Sequence, residues 1–348
     1  LHRFGRNCRQ AVETAREQVA ALINAEPRDI LFTSGGTESN NLAIMGIVEA
    51  SDRTAKRMVT TAVEHHAVLH VCESLARANR VDLQVAGVDQ EGLVDPDAVE
   101  ALLGDETVLV SVMHANNETG VVQPLERIGA LCRERGIPFH SDTVQSAGKL
   151  PLDVRKLPLD LAAISGHKLY GPKGIGALFV RSGTGIEPQA VGGAQERGRR
   201  AGTENVAGIV GLGRACELLS GELQSTSKQM EVLRDRLQEG ALATVPDAGI
   251  NGSTAHRLPN SLNMAFNDLD GERMMFALDQ EGIAVSTGSA CTAGSLDPSH
   301  VLLAMGQSHE HASSAIRFSL GRDNTEEEID RVISLLPGLV KQFLEKPD

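Results

Sequence analysis

The chain has 348 residues, 41% of them hydrophobic and 23% charged, a length and composition that suit two globular domains and exclude a low-complexity or disordered protein. Its formal net charge of −13 excludes a broad nucleic-acid surface, and its apolar runs are too short to span a membrane. The five cysteines (Cys8, Cys72, Cys132, Cys216 and Cys291) are scattered and form no C-x-x-C pair, which argues against a disulfide framework and against a zinc site.

Leu1 is not an initiator methionine and no signal-peptide pattern follows, so a preceding segment and a cytoplasmic location are expected. Val12, Ala15, Val19 and Leu22 recur at helical spacing and predict an amphipathic helix over 7–24. Short β-rich runs follow at 30–34, 58–63, 83–88, 108–114, 138–142, 159–165 and 176–180, with helical patterns between several of them. Apolar strands alternating with helices predict an α/β fold with a mainly parallel sheet covered on both faces. From about 205 to 240 the pattern is mainly helical. A shorter α+β section comes next, with strands at 261–266, 284–287 and 315–320 and helices at 272–280 and from 325 onward. Thr325 and Glu328 have the spacing of a capping box. The expected division is a large domain, 1–225, and a smaller C-terminal domain, 226–348.

Seven segments carry candidate chemistry. Ser34-Gly35-Gly36-Thr37 follows a strand and opens a helix, where backbone N–H groups and the helix terminus favour an anion; the plainer reading is a turn with Thr37 as N-cap. Glu64-His65-His66 follows another strand; a histidine there can stack on a planar ring or move a proton, or it is simply a satisfied surface residue, and the pair does not match a zinc motif. In 114–120, the amides of Asn116 and Asn117 either make a turn or bond a ring oxygen. Asp142 ends an apolar strand three residues before Gln145; an ionised carboxylate there keeps a pyridine nitrogen protonated, or it caps a helix.

The fifth segment is the most specific. Lys168 directly follows the apolar strand 159–165 and precedes a Gly/Pro turn, a setting in which a partly desolvated lysine can lose its proton and form a Schiff base. Ser165 and His167 beside it suit a phosphate, although no P-loop order is present. The glycine-rich, basic run 192–205 reads as a mobile surface loop, or as a loop that reaches a phosphate across a dimer interface. Finally, Cys291 sits among Gly, Ser, Thr and Ala instead of apolar neighbours, as a reactive cysteine does, whereas the other four cysteines read as small apolar helix residues. Arg317, inside a strand pattern, suits a substrate carboxylate.

Together these segments resemble the cysteine desulfurases of the NifS/IscS type, fold-type-I pyridoxal-phosphate (PLP) enzymes of the aminotransferase class V group. The resemblance runs from about Phe4 to the C-terminus through FTSGGTESNN, EHHAVL, MHANNETG, HSDTVQSAGK, SGHKLYGPKGIGALFV, SGSACT and IRFSLGR. It implies that Lys168 is the Schiff-base lysine, that Asp142 pairs with the pyridine nitrogen, and that Gln145 and Asn116 bond the ring oxygen. It implies further that His65 stacks on the ring and helps move protons. Gly36, Thr37, Ser165 and His167 would hold the phosphate, with Thr203 supplied by the second subunit of a homodimer. Cys291 would take the sulfur as a persulfide, and Arg317, with Asn116, would bind the substrate. The family's D-N-N-A-T-T-like string before the first helix is not present in this chain.

The expected activity is removal of sulfur from L-cysteine to give L-alanine. The persulfide would then pass to an acceptor protein such as an iron–sulfur scaffold or a thiolation protein, with no membrane or direct nucleic-acid partner. A selenocysteine lyase or aminotransferase on the same fold would not require Cys291. A non-catalytic PLP-fold partner protein would not require Lys168, Asp142 and Cys291 together.

Overall fold

A computed structural model describes residues 2–267, 269–287 and 298–345. Two compact units emerge: one comprises Leu1–Ala86, Val94–Ala115 and Gln123–Leu223, the other Gly87–Leu93, Asn116–Val122 and Gln224–Asp348.

The first unit opens with helix α1 (Arg3–Leu22), which buries Val12, Ala15, Val19 and Leu22, the residues whose spacing predicts it. Strand β1 (Ile30–Thr33) leads into α2 (Gly36–Ala50), β2 (Arg57–Thr61), α3 (His66–Arg77), β3 (Asp82–Ala86) and α4 (Pro96–Leu102). The chain continues through β4 (Thr107–Ser111), α5 (Leu125–Glu134), β5 (Phe139–Asp142), β6 (Leu161–Ser165) and β7 (Gly176–Val180). The strands form one sheet in the order β1-β7-β6-β5-β4-β2-β3. Pairs β6–β5, β5–β4, β4–β2 and β2–β3 are parallel, whereas β7 runs antiparallel to both β6 and β1. Burial explains the composition: every residue of β1, β4, β5, β6 and β7 is buried, as expected of strands covered on both faces. Leu42, Ile44 and Ile47 of α2 pack with Met58, Leu109 and Leu178 in one apolar cluster.

This topology decides where chemistry can gather. Strands β1, β2, β4, β5 and β6 all point the same way, so their carboxyl ends share one edge of the sheet. Asp142 stands at the end of β5, and the segments after β1, β2 and β6 carry Gly36, His65 and Lys168. Two strands are shorter than the sequence reading places them: β2 stops at Thr61 and β4 at Ser111, although the Ala62 N–H still donates to the Ala86 carbonyl, and the Val112 and His114 N–H groups to the His140 and Asp142 carbonyls.

Helix α6 (Val206–Thr244) runs from the first unit into the second. There a four-stranded antiparallel sheet, β10-β11-β9-β8, is built from β8 (Ala248–Ile250), β9 (Ser261–Phe266), β10 (Ser286–Thr287) and β11 (Ala315–Ser319). Helices α7 (Gly271–Gln280), α8 (His300–Ala304), α9 (His309–Ser313) and α10 (Glu326–Glu345) complete it. Leu262, Met264, Phe266, Leu278, Phe318 and Leu336 form its core. The capping box read from the sequence is present in both directions: the Thr325 N–H donates to Glu328 Oε2 at 3.2 Å, and the Glu328 N–H to Thr325 Oγ1 at 3.3 Å. Strand β8 has no counterpart in the sequence reading, and the expected strand 284–287 shrinks to two residues. Among the described residues no helix is long and apolar enough to cross a membrane.

Candidate active site

Asp142 ends β5 and is buried. Its Oδ1 accepts the Val144 N–H at 2.9 Å and its Oδ2 accepts Asn40 Nδ2 at 2.7 Å, so both oxygens are fixed. Burial raises the carboxyl above its ordinary value, while those two bonds and the charge of His65 work the other way. Such a group is costly as an isolated anion and is stabilised by a cationic partner.

His65 is the N-cap of α3, and its Nδ1 accepts the Ala67 N–H at 3.0 Å. With Nδ1 accepting, the neutral ring carries its proton on Nε2. Burial lowers His65 below its ordinary value despite Asp142, and His66, Lys168 and His70 add to the lowering. The ring is therefore neutral near pH 7.

Lys168 lies on a short turn, Gly166–Lys168, directly after β6. Its side chain is exposed, not half-desolvated as its sequence setting suggests, because the turn carries it past the covered strand. Its charge lowers both His65 and Lys149, which places the three amine and imidazole groups within electrostatic reach. Gln145 is half-buried, and its carbonyl accepts Lys149 Nζ at 2.9 Å.

The glycine pair at the head of α2 makes a close-fitting cradle. The N-cap is Gly35, and Thr37 lies one residue inside the helix, so the expected Thr37 cap is replaced by backbone alone. A Cβ on Gly36 would sit 2.7 Å from Val144 Cγ2 and 3.5 Å from Ser165 Cβ, so only glycine fits without displacing neighbours. The Ser165 hydroxyl lies 3.0 Å from His167 Nδ1. First-turn amides have no acceptor within their own helix, and with these side-chain donors beside them they are groups of the kind that suit an anion.

The run 192–205 is not loose. Glu196 is buried and takes two bonds from Arg16, at 2.8 and 2.9 Å, plus the Phe32 N–H at 3.1 Å. Arg200 donates to both carboxylate oxygens of Glu38, and Glu38 Oε2 also accepts the Ser34 N–H. Thr203, farther along, is exposed.

Asn116 and Arg317 belong to the second unit. Asn116 Oδ1 accepts the N–H groups of Glu118 and Thr119, which is the turn role its sequence also allowed, so a ring oxygen would have to take an Nδ2 hydrogen. Arg317 Nη1 donates to the Asn117 carbonyl at 2.6 Å, and its Nε is buried with no hydrogen-bond partner among the described residues. A guanidinium with an unmatched buried N–H fits a carboxylate ligand. Nearby, Glu118 accepts the Ser299 hydroxyl, and burial pushes its carboxyl up to about 7. Cys291 lies outside the described residues. Of the other cysteines, Cys72, Cys132 and Cys216 are buried with thiols pushed up to about 12 by burial, as inert helix residues should be. Cys8 departs from that expectation and is exposed on α1.

Two residues escaped the sequence reading. Asn40 holds Asp142, and the available signal was an amide on the buried side of an otherwise apolar helix. Glu64 is fully buried, and its Oε1 accepts the Met113 N–H at 2.7 Å and the Thr61 hydroxyl at 2.9 Å.

A fixed buried carboxylate, a neutral histidine, a lysine and a glycine-lined anion cradle at one sheet edge are the donor set that a phosphorylated pyridine aldehyde requires, so these residues fit PLP. The aminotransferase class-V family matches residues 1–332. The cysteine desulfurase IscS of Methanosarcina thermophila is 46% identical over 343 residues, covering 99% of this chain and 84% of that protein. A cysteine desulfurase of Nostoc sp. is 48% identical over 343 residues, covering 99% and 85%. A solved NifS-like protein superposes with a TM-score of 0.91 at 37% identity, covering 98% of this chain and 90% of the other.

Proposed function

This chain belongs to the aminotransferase class-V family, and from that membership we propose that it is a PLP-dependent cysteine desulfurase, converting L-cysteine to L-alanine and an enzyme-bound persulfide. The observation that carries the reading is the buried, doubly held Asp142 beside a neutral His65, within a chain that matches desulfurases over almost its whole length.

PLP, when bound, supplies an electron sink that lets negative charge develop at the substrate Cα. The chain's residues do the rest. Asp142 would keep a proton on the ring nitrogen, which is the cationic partner its buried carboxylate needs. His65 would orient the ring with a face that is uncharged at neutral pH. The amides of Gly36 and Thr37, with Ser165 and His167, would bind the phosphate, joined by Thr203 from a second copy in a homodimer. Gln145 and Asn116 would bond the ring oxygen. Lys168 Nζ would anchor the coenzyme and, once released, remove the proton from Cα. Arg317 would hold the substrate carboxylate. Cys291 Sγ would attack the substrate sulfur as the substrate's Cβ–S bond breaks, its electron pair staying with the carbon skeleton that leaves as alanine, and the sulfur held on Cys291 would then pass in the cytoplasm to an acceptor protein such as an iron–sulfur scaffold.

Incubation with PLP and L-cysteine is expected to release alanine and leave one extra sulfur on Cys291 by mass spectrometry. Lys168→Ala should abolish alanine formation. Cys291→Ser should keep the bound coenzyme's colour and lose sulfur release; full activity in that variant overturns the nucleophile assignment.

A further inference from the structure

We propose that Arg200 is a positioning residue for the coenzyme's phosphate, neutralising Glu38, a carboxylate built into the very turn that receives that dianion. The inference rests on the reading that the phosphate binds at 34–37.

Glu38 is the third residue of α2. Its Oε2 accepts the Ser34 N–H at 2.7 Å, reaching back across Gly35 and Gly36 and fixing the backbone of the cradle. A carboxylate in a first turn also suits the helix dipole. It is nevertheless a negative charge beside a site for an anion, and like charges at short range repel, more strongly where water is partly excluded. Burial works to raise the Glu38 carboxyl, but bonds from Arg200 and Ser34 outweigh it and hold the group below its ordinary value. Glu38 is therefore ionised at neutral pH, and its charge has to be offset by a cation. Arg200 supplies it: Nε lies 2.8 Å from Oε1 and Nη2 lies 3.3 Å from Oε2, with both side chains only 27% exposed.

Arg200 is delivered by its loop. Glu196 and Arg197 take left-handed backbone angles, φ 44° and 60°, which non-glycine residues adopt only when something holds them there. The holding group is the Arg16–Glu196 pair, with side chains 5% and 4% exposed. One clasp thus seats the loop on β1, and the second balances the charge of the cradle. Glu38 stays in the helix whatever the loop does, so phosphate affinity follows from Arg200 being in place.

A partly exposed ion pair with a merely structural role contributes little to stability and would not distinguish one ligand from another. The test compares binding of PLP and of pyridoxal, which lacks the phosphate, by absorbance titration of the cofactor-stripped protein. Arg200→Gln is expected to weaken PLP about tenfold while changing pyridoxal less than about twofold, since a bared carboxylate repels only the charged ligand. Arg200→Lys should retain most of the PLP affinity. Glu38→Gln alone should bind PLP at least as well as wild type, and Glu38→Gln with Arg200→Gln should recover most of what Arg200→Gln lost. Equal weakening of both ligands, or a double variant no better than Arg200→Gln, overturns the proposal. A wild type that takes PLP and pyridoxal equally well overturns the phosphate reading beneath it.

Discussion

The acids and bases near the sheet edge differ in how visible they were. Asp142 and Lys168 stood out because each sits at or just past the carboxyl end of a buried strand, where solvation alone does not explain a charged group. Glu64 did not, because its meaning depends on Thr61 and Met113 converging on one oxygen, which no local pattern records. Its carboxyl is pushed from an ordinary 4.5 up to about 8, by burial first and with a contribution from the charge of Asp142. Between those values the folded chain keeps a proton that the unfolded chain releases, so this group's contribution to stability is whole below 4.5 and is lost as pH rises toward 8. Glu64→Gln removes that titration and can still accept the Met113 and Thr61 hydrogens through its amide oxygen. Denaturant unfolding at several pH values is expected to show a shallower fall from about pH 5 to 8 in the variant than in wild type. Parallel slopes would mean that Glu64 is not protonated in the folded chain.

Helices and strands were largely legible, since strand–helix alternation and amphipathic spacing reflect burial directly. The reciprocal Thr325–Glu328 bonds are the sharpest instance, because a capping box is a local object wholly contained in its four residues. Strand β8 is only three residues long and half-buried, and offers no periodicity to read. Loop 192–205 looked loose because glycine and arginine dominate it; its order comes from Arg16, 180 residues away in sequence from Glu196. Two glycines separate close packing from helix propensity. On Gly176 a Cβ would meet the Ile164 carbonyl at 2.6 Å and Gly35 Cα at 2.7 Å, backbone atoms that cannot swing aside. Gly176→Ala is expected to lower stability by about 1–3 kcal/mol and to loosen coenzyme binding through the displaced cradle. Gly221, in α6, has no atom within 4 Å of such a Cβ, so Gly221→Ala should stabilise by about 0.5–1 kcal/mol. Thermal unfolding of the two variants should therefore move in opposite directions.

At the scale of the whole chain, length suited two domains or one large domain with a smaller partner, net charge marked the chain as acidic, and strand–helix alternation indicated the α/β class. What composition does not carry is the path of the chain. The excursions Gly87–Leu93 and Asn116–Val122 leave the first unit and complete the second, although in sequence they look like ordinary connections between strands and helices. Within the second unit Asn117 accepts Arg317, and the Glu118 carbonyl accepts Asn263. That interleaving governs the order in which the protein can be finished on the ribosome. The N-terminal sheet can close while translation continues, but its two outlying segments must wait, unmatched, until roughly the last third of the polypeptide emerges. Neither half is a self-sufficient module that recombination or truncation can move elsewhere without leaving part of it behind.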